Sequence, residues 1–230
     1  MTLKFFENII STTIIEIIDC SKSYENIVLN NVSLKIKDKS FIILKGLSGV
    51  GKSTLLNIIA GIVKPDSGIV KVNNIEITEL SDSALAKFRN ANISYIRQTQ
   101  GLVHWLNIRD NLELPFYIDA QDMEKSAIKK MIDSISEQFG ITNILKKYPE
   151  KISGGQYQRA AIASSIIKSQ NIILADEPTN NLDKNNIKIL MDIFKKYKSK
   201  KTIIIVSHID IFDELANEIL LIKNGKIQNV

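Results

Sequence analysis

Apolar and polar positions alternate along this chain in short runs, and the period changes at definite places. Ile14 to Asp19 reads as a strand. Val32, Leu34 and Ile36 alternate with polar residues, the mark of a half-buried strand. Phe41-Ile42-Ile43-Leu44 is a continuous apolar run of strand length, and Leu55 to Ala60 after it reads as a helix that Gly61 would end. Ile69–Val72 and Ile75–Ile77 flank Asn73-Asn74, a turn pair that predicts a hairpin. A short helix is expected over Ser81–Asn90 and a strand over Ile93–Ile96. Gln98 to Phe116 reads as irregular and is unusually apolar for a loop, with Leu102, Val103, Trp105, Leu106 and Ile108.

Beyond that loop the period becomes helical. From about Ala120 to Phe139, the residues Ile128, Met131, Ile132, Ile135 and Phe139 keep the spacing of one helix face, and Gly140 ends it. Ile141–Tyr148 predicts a second short helix, stopped before Pro149. Ser153-Gly154-Gly155-Gln156 opens another, with Ser153 as N-cap. Ile172–Ala175 is a fully buried strand that runs into Asp176-Glu177-Pro178. Ile187, Leu190, Met191 and Phe194 mark an amphipathic helix. Thr202–Val206 is a strand ending at Ser207-His208, and Ile219–Ile222 with Lys226–Gln228 form a hairpin around Asn224-Gly225. The expectation is an α/β fold with an antiparallel β portion near its start. A helical lobe over about 91–159 is inserted between core segments at about 1–90 and 160–230.

One stretch carries chemistry by itself. Gly46-Leu47-Ser48-Gly49-Val50-Gly51-Lys52-Ser53-Thr54 fits the pattern of a phosphate-binding loop at every required position, and it lies between a strand and a helix as that loop must. Glycines let the backbone fold tightly and aim N–H groups at phosphate oxygens, and the helix start adds partial positive charge. Lys52 can reach the β- and γ-phosphates, and the Ser53 hydroxyl can ligate Mg²⁺, a hard cation that takes oxygen ligands. Open α/β sheets bind ligands at the C-terminal ends of their strands. Asp176 and Glu177 follow one strand there: an aspartate can hold the Mg²⁺ shell, and the adjacent carboxylate can orient or deprotonate water. His208 ends another strand and can donate to a γ-phosphate oxygen. Gln98 follows a third, where its amide can sense Mg²⁺ or water.

Composition narrows the class. The chain has 230 residues, 44% of them hydrophobic and 24% charged, which suits one large soluble domain. A single cysteine, Cys20, allows no internal disulfide framework, and two distant histidines form no zinc cluster. The net charge of +5 is spread along the chain, so a solvated lysine-rich surface is favoured over a nucleic-acid footprint. No apolar run reaches the roughly 20 residues that a spanning helix needs, and the interrupted apolar N-terminus does not read as a signal peptide. A membrane role would need a partner to place the chain there.

Together these residues resemble the nucleotide-binding domain of the ATP-binding-cassette (ABC) transporters, over nearly the full length. The phosphate loop is similar to the family's Walker A, Gln98 to its Q-loop glutamine, and Ile152–Gln156 to its LSGGQ signature. Ile172–Glu177 resembles Walker B with the catalytic glutamate, Asn181-Leu182-Asp183 the D-loop, and His208 the switch histidine. Tyr24 falls at the aromatic that stacks on adenine. The resemblance implies a P-loop NTPase (RecA-like) core, ATP and Mg²⁺, and hydrolysis of ATP with Glu177, His208, Gln98 and Lys52 in catalysis. Tyr24, Gly46, Ser48, Gly49, Gly51, Lys52, Ser53 and Thr54 would bind nucleotide, and Ser53, Gln98 and Asp176 would hold the metal.

It further implies two cassettes paired head to tail as a homodimer, with Ser153, Gly154, Gly155 and Gln156 of one copy closing the site of the other and Asp183 linking the two. An integral membrane permease subunit would be moved by the cycle, with the ATPase on the cytoplasmic face. Asp110–Pro115 and Ala175–Asp183 resemble the lipoprotein-release and macrolide- or peptide-export group, whose cell-division member regulates a partner without transport. The apolar loop with Trp105 would either contact the membrane subunit or pack on the helical lobe. Departures from the pattern are Ile152 for leucine, Ser164-Ser165 for an alanine–arginine pair, Asn180 for glycine, and Ser207-His208-Ile209 for Thr-His-Asp.

Overall fold

A computed structural model of the chain describes residues 13–98, 101–117, 123–180 and 182–229. Two sheets carry it. The first is antiparallel, in the order β2-β1-β4-β5, from β1 (Thr13–Ser23), β2 (Ile27–Lys37), β4 (Ser67–Val72) and β5 (Ile75–Glu76). Its last hairpin turns at Asn73 and Asn74, at φ of 52° and 62°. Two left-handed residues in a row match the twist of the flanking strands, and asparagine tolerates that region better than most side chains.

The second sheet runs β10-β9-β3-β8-β7-β6. Its strands are β3 (Phe41–Lys45), β6 (Ile93–Ile96), β7 (Ile172–Asp176), β8 (Thr202–Val206), β9 (Glu218–Lys223) and β10 (Lys226–Asn229). From β9 to β6 all neighbours are parallel, and only β10 reverses. Parallel central strands are buried on both faces and read as unbroken apolar runs. Their alternation divides two cores. Phe41, Ile43, Ile173, Ala175, Ile203 and Ile205 face a core shared with the later helices. Ile42, Leu44, Ile172, Leu174, Ile204 and Val206 face the antiparallel sheet and the first helix.

The helices are α1 (Lys52–Ile59), α2 (Asp82–Asn92), α3 (Ile108–Tyr117), α4 (Lys125–Gln138), α5 (Gly154–Ile166) and α6 (Lys184–Tyr197). Three expectations shift. Residues 108–117 are helical, where the apolar loop was expected to stay irregular to Phe116. Asn107 makes the difference: its Oδ1 accepts from Asp110 N at 2.9 Å, and its Nδ2 donates to Asp110 at 2.7 Å. Residues 141–148 hold one 3₁₀ turn, Thr142–Ile144, instead of a short helix. The carbonyls of Leu145 and Lys147 accept instead from the first N–H groups of α3, at Arg109 and Ile108. The strand β6 lies within the 91–159 span given to the helical lobe, yet it pairs with β7 in the core sheet. The start of the helix expected from Ala120 lies outside the described residues.

Candidate active site

The phosphate loop joins β3 to α1 and leaves its donors open. Gly51 caps α1 at φ 108°, and a Cβ there would lie 2.8 Å from Val28 Cγ1 and 2.9 Å from its carbonyl oxygen. Only glycine fits both demands. Gly51 has no side chain with which to cap, so the first N–H groups of α1 remain available to an anion. Lys52, 6% exposed, donates to the carbonyl oxygens of Gly46 at 2.9 Å and Leu47 at 2.8 Å. Burial lowers its pKa, and the carboxylates of Glu177 and Asp176 oppose that. An ammonium has three protons, and one remains for a phosphate oxygen.

The neighbouring strand ends face the same space. Asp176 ends β7, and Glu177 follows at φ 47°, a strained position for a side chain of its size. Glu177 N donates to the Val206 carbonyl at 3.0 Å, which locks the end of β7 to the end of β8. Glu177 Oε1 lies 2.9 Å from His208 Nε2, an ion-pair distance without hydrogen-bond geometry. Burial raises the Glu177 pKa above the ordinary carboxylate range, against the pull of His208 and Lys52. A buried carboxylate of raised pKa beside a histidine is suited to accept a proton from water near neutral pH.

Ser48, Gly49, Gly51, Lys52, Ser53, Thr54, Gln98, Asp176, Glu177 and His208 line one cleft of about 370 Å³. Asn180 and Val206 also line it. Val206 gave no polar signal in the sequence, and Asn180 stood out only as a departure from the family pattern. Gly46 is not among the lining residues; a Cβ there would lie 2.6 Å from the Ile222 carbonyl oxygen.

The other expected residues lie apart. Tyr24 is 62% exposed, with Lys22 Nζ 5.5 Å from its ring centre. Ser153 caps α5 in a reciprocal box: its Oγ accepts from Gln156 N at 3.3 Å, and its own N–H donates to Gln156 Oε1 at 3.1 Å. Gly155 packs on the start of α6, where a Cβ would lie 2.5 Å from Asn186 Nδ2. Asp183 caps α6 and holds Asn186 through both its backbone and its side chain, at 2.8 Å each. None of these lines the cleft. Asn181 lies outside the described residues.

The donors suit a hard divalent cation. Asp176 Oδ1 is buried without a hydrogen-bond partner, and the Ser53 hydroxyl opens onto the same cleft. Among the described residues no group of three or more His, Cys, Asp or Glu could hold a metal unaided. The protein therefore offers a partial oxygen shell of the kind Mg²⁺ completes with phosphate and water.

A buried asparagine that the sequence reading met only within the Asp110–Pro115 resemblance organises the loop before α3. Asn111, 2% exposed, accepts from Val103 N and donates to the carbonyls of Val103, Leu106 and Asn107. Ser164, where the family pattern has alanine, donates to the Asn111 carbonyl at 3.0 Å. The Tyr157 hydroxyl accepts from Leu102 N at 2.9 Å and ties the same loop to α5. Leu102 is buried in this loop, whereas Trp105 is 80% exposed.

The ABC transporter family model matches residues 29–180. The lipoprotein-releasing system ATP-binding protein LolD of Buchnera aphidicola subsp. Schizaphis graminum is 34% identical over 94% of this chain and 96% of its own length. An ABC transporter ATP-binding protein of Mycoplasma pneumoniae is 38% identical over 88% of this chain, but the match spans only 43% of that protein. The ATP-binding cassette MJ0796, solved as a dimer in a post-hydrolysis state bound to ADP and Pi, superposes with a TM-score of 0.87. It shares 31% identity and covers 94% of this chain and 97% of that one.

Proposed function

The chain belongs to the ABC transporter family, and we propose that it is the ATP-hydrolysing subunit that drives a separate membrane subunit in export or lipoprotein release. One observation carries the reading: Lys52, the adjacent pair Asp176 and Glu177, and His208, from three separate segments, converge on one cleft. Core and helical lobe would work as a single cassette, with the lobe's helices after β6. In the cleft the N–H groups of the phosphate loop and the Lys52 ammonium would hold the nucleotide phosphates. Ser53 and Asp176 would hold Mg²⁺, with Gln98 at the edge of its shell. Mg²⁺ bound there would neutralise charge on the β- and γ-phosphate oxygens. Glu177 would take the proton of the attacking water, and His208 would steady the charge on the γ-phosphate side. Tyr24 lies outside the cleft lining, on an exposed turn where its ring can stack on adenine.

The signature residues would act on a second copy. Ser153 and the Gly154 and Gly155 amides stand at a helix start away from this chain's own cleft, and a helix start favours phosphate. A head-to-tail homodimer would bring them to the γ-phosphate of the partner copy, and Asp183 would lie between the two sites. The membrane subunit would dock at the exposed Trp105, and the ATPase would then work at the cytoplasmic face of the membrane. Among the described residues no helix is long and apolar enough to cross a membrane. The test is recovery of tagged Glu177→Gln from native membranes with ATP. A polytopic membrane protein is expected with it, and the extracytoplasmic part of that protein separates export and lipoprotein release from cell-division signalling. Recovery of soluble proteins alone from a fully solubilised membrane would overturn the subunit reading.

A further inference from the structure

The end of β3 carries a charge that the cleft does not use. The strand is buried from Phe41 to Leu44 but finishes on Lys45, whose side chain is 25% exposed. The Lys45 ammonium donates to Asp210 Oδ1 at 2.6 Å and to Asp213 Oδ2 at 2.5 Å. Both carboxylates belong to the 3₁₀ segment Asp210–Leu215, which Ile209 separates from Ser207-His208. Strand register explains the meeting: Leu44 pairs with Val206 across β3 and β8, so the chain leaving β8 passes the chain leaving β3. Lys45 precedes Gly46, the first residue of the phosphate loop, and Asp210 lies two residues from His208. The trio thus joins the base of the loop to the segment that begins two residues after the histidine.

That segment is anchored unevenly. At its far end Phe212 and Leu215 are buried, and Glu214 pairs with Lys195 at 2.9 Å. At its near end Ile209 and Ile211 are exposed, and among the described residues Ser207 Oγ bonds the backbone of Ile209 alone. Lys45 ties the segment to the end of β3 at two points, through Asp210 at its near end and through Asp213 beside the buried Phe212. The arm to Asp213, 30% exposed, counts for more than the arm to Asp210, which is 84% exposed and screened by solvent.

We propose that Lys45 is a positioning residue for hydrolysis: with Asp210 and Asp213 it holds the His208 segment against the base of the phosphate loop and keeps His208 beside Glu177. It touches no reacting atom. The proposal rests on the assignment of Glu177 and His208 to the reaction.

Steady-state ATP hydrolysis and equilibrium ATP binding on the full chain test it, with Lys45→Met, Lys45→Arg, Asp213→Asn, the Lys45→Met/Asp213→Asn pair and a His208→Ala control. Lys45→Met should lower kcat about three- to tenfold and leave KM and Kd for ATP within about twofold. Lys45→Arg should restore most of the rate. The double variant should be no slower than Lys45→Met alone, because both changes break one link. Asp213→Asn alone should slow turnover in the same way, and a wild-type rate there would overturn the proposal even if Lys45→Met folded poorly. Unchanged kcat in Lys45→Met, or a loss confined to KM, would also overturn it while His208→Ala remains slow. Normal hydrolysis by His208→Ala would overturn the reading of the site and the positioning role with it.

Discussion

The two ends of this molecule that bear on nucleotide chemistry differ in completeness. At the cleft, three parallel strands deliver Lys52, Asp176, Glu177 and His208 into one space, and the supporting contacts are internal: Lys52 to the loop carbonyls, Glu177 N to Val206 O. At the start of α5 the geometry is just as ordered, with a capping box and a glycine seated on Asn186, yet these residues do not line the cleft. On the proposed reading the cleft binds and reacts, and the start of α5 completes the site of a second copy.

Substitutions at the two ends should therefore separate binding from turnover. The largest effect is expected at Glu177. Glu177→Gln should slow phosphate release about 10²- to 10⁴-fold while equilibrium ATP binding persists. Turnover near the wild-type rate would remove the cleft from the chemistry. Gly155→Val should follow, at about tenfold in turnover with ATP affinity kept, because its side chain would displace an Asn186 that Asp183 holds at 2.8 Å. A parallel fall in affinity would show that the two ends are not separate. Ser153→Ala should cost about 1 kcal/mol through the lost cap, read as a lower Tm of the single copy without ATP.

The smallest effect concerns the buried carboxylate itself. Folding raises the Glu177 pKa, so the folded chain holds that proton more tightly than the unfolded chain does. Stability from this group is full below the unfolded pKa and is lost as pH rises through the folded value. A glutamine carries no such loss. Glu177→Gln should therefore be more stable at pH 7 by about 1 kcal/mol or less, and the gain should vanish in acid. Melting curves at both pH values decide it. A variant less stable at pH 7 would mean that His208 and Lys52 outweigh burial.

Local features were legible in the sequence and distant ones were not. The expected P-loop NTPase core is the fold of this chain, and the Asn73-Asn74 and Asn224-Gly225 turns sit where the hairpins were predicted. The phosphate loop could be read because strand, glycines and helix are contiguous. The buried strands could be read because their apolar runs are unbroken. Asn111 was legible only as part of the Asp110–Pro115 resemblance, since its worth lies in side-chain contacts to Val103, Leu106 and Asn107 that the apolar pattern does not show. The failed helix over 141–148 has the same cause, because its carbonyls serve α3. That the signature residues act away from their own cleft came from the family resemblance alone, since their position depends on how α5 packs.

The most direct measurement mixes two defective copies. One carries Lys52→Met and cannot use its phosphate loop; the other carries Gly155→Val and cannot complete its partner's site. A head-to-tail pair predicts that Lys52→Met alone hydrolyses almost no ATP and Gly155→Val alone about a tenth of the wild-type rate. The equimolar mixture should recover about a quarter of the wild-type rate, since half the pairs are mixed and each of those has one intact composite site. A mixture no faster than its two components measured separately would contradict a site shared between copies.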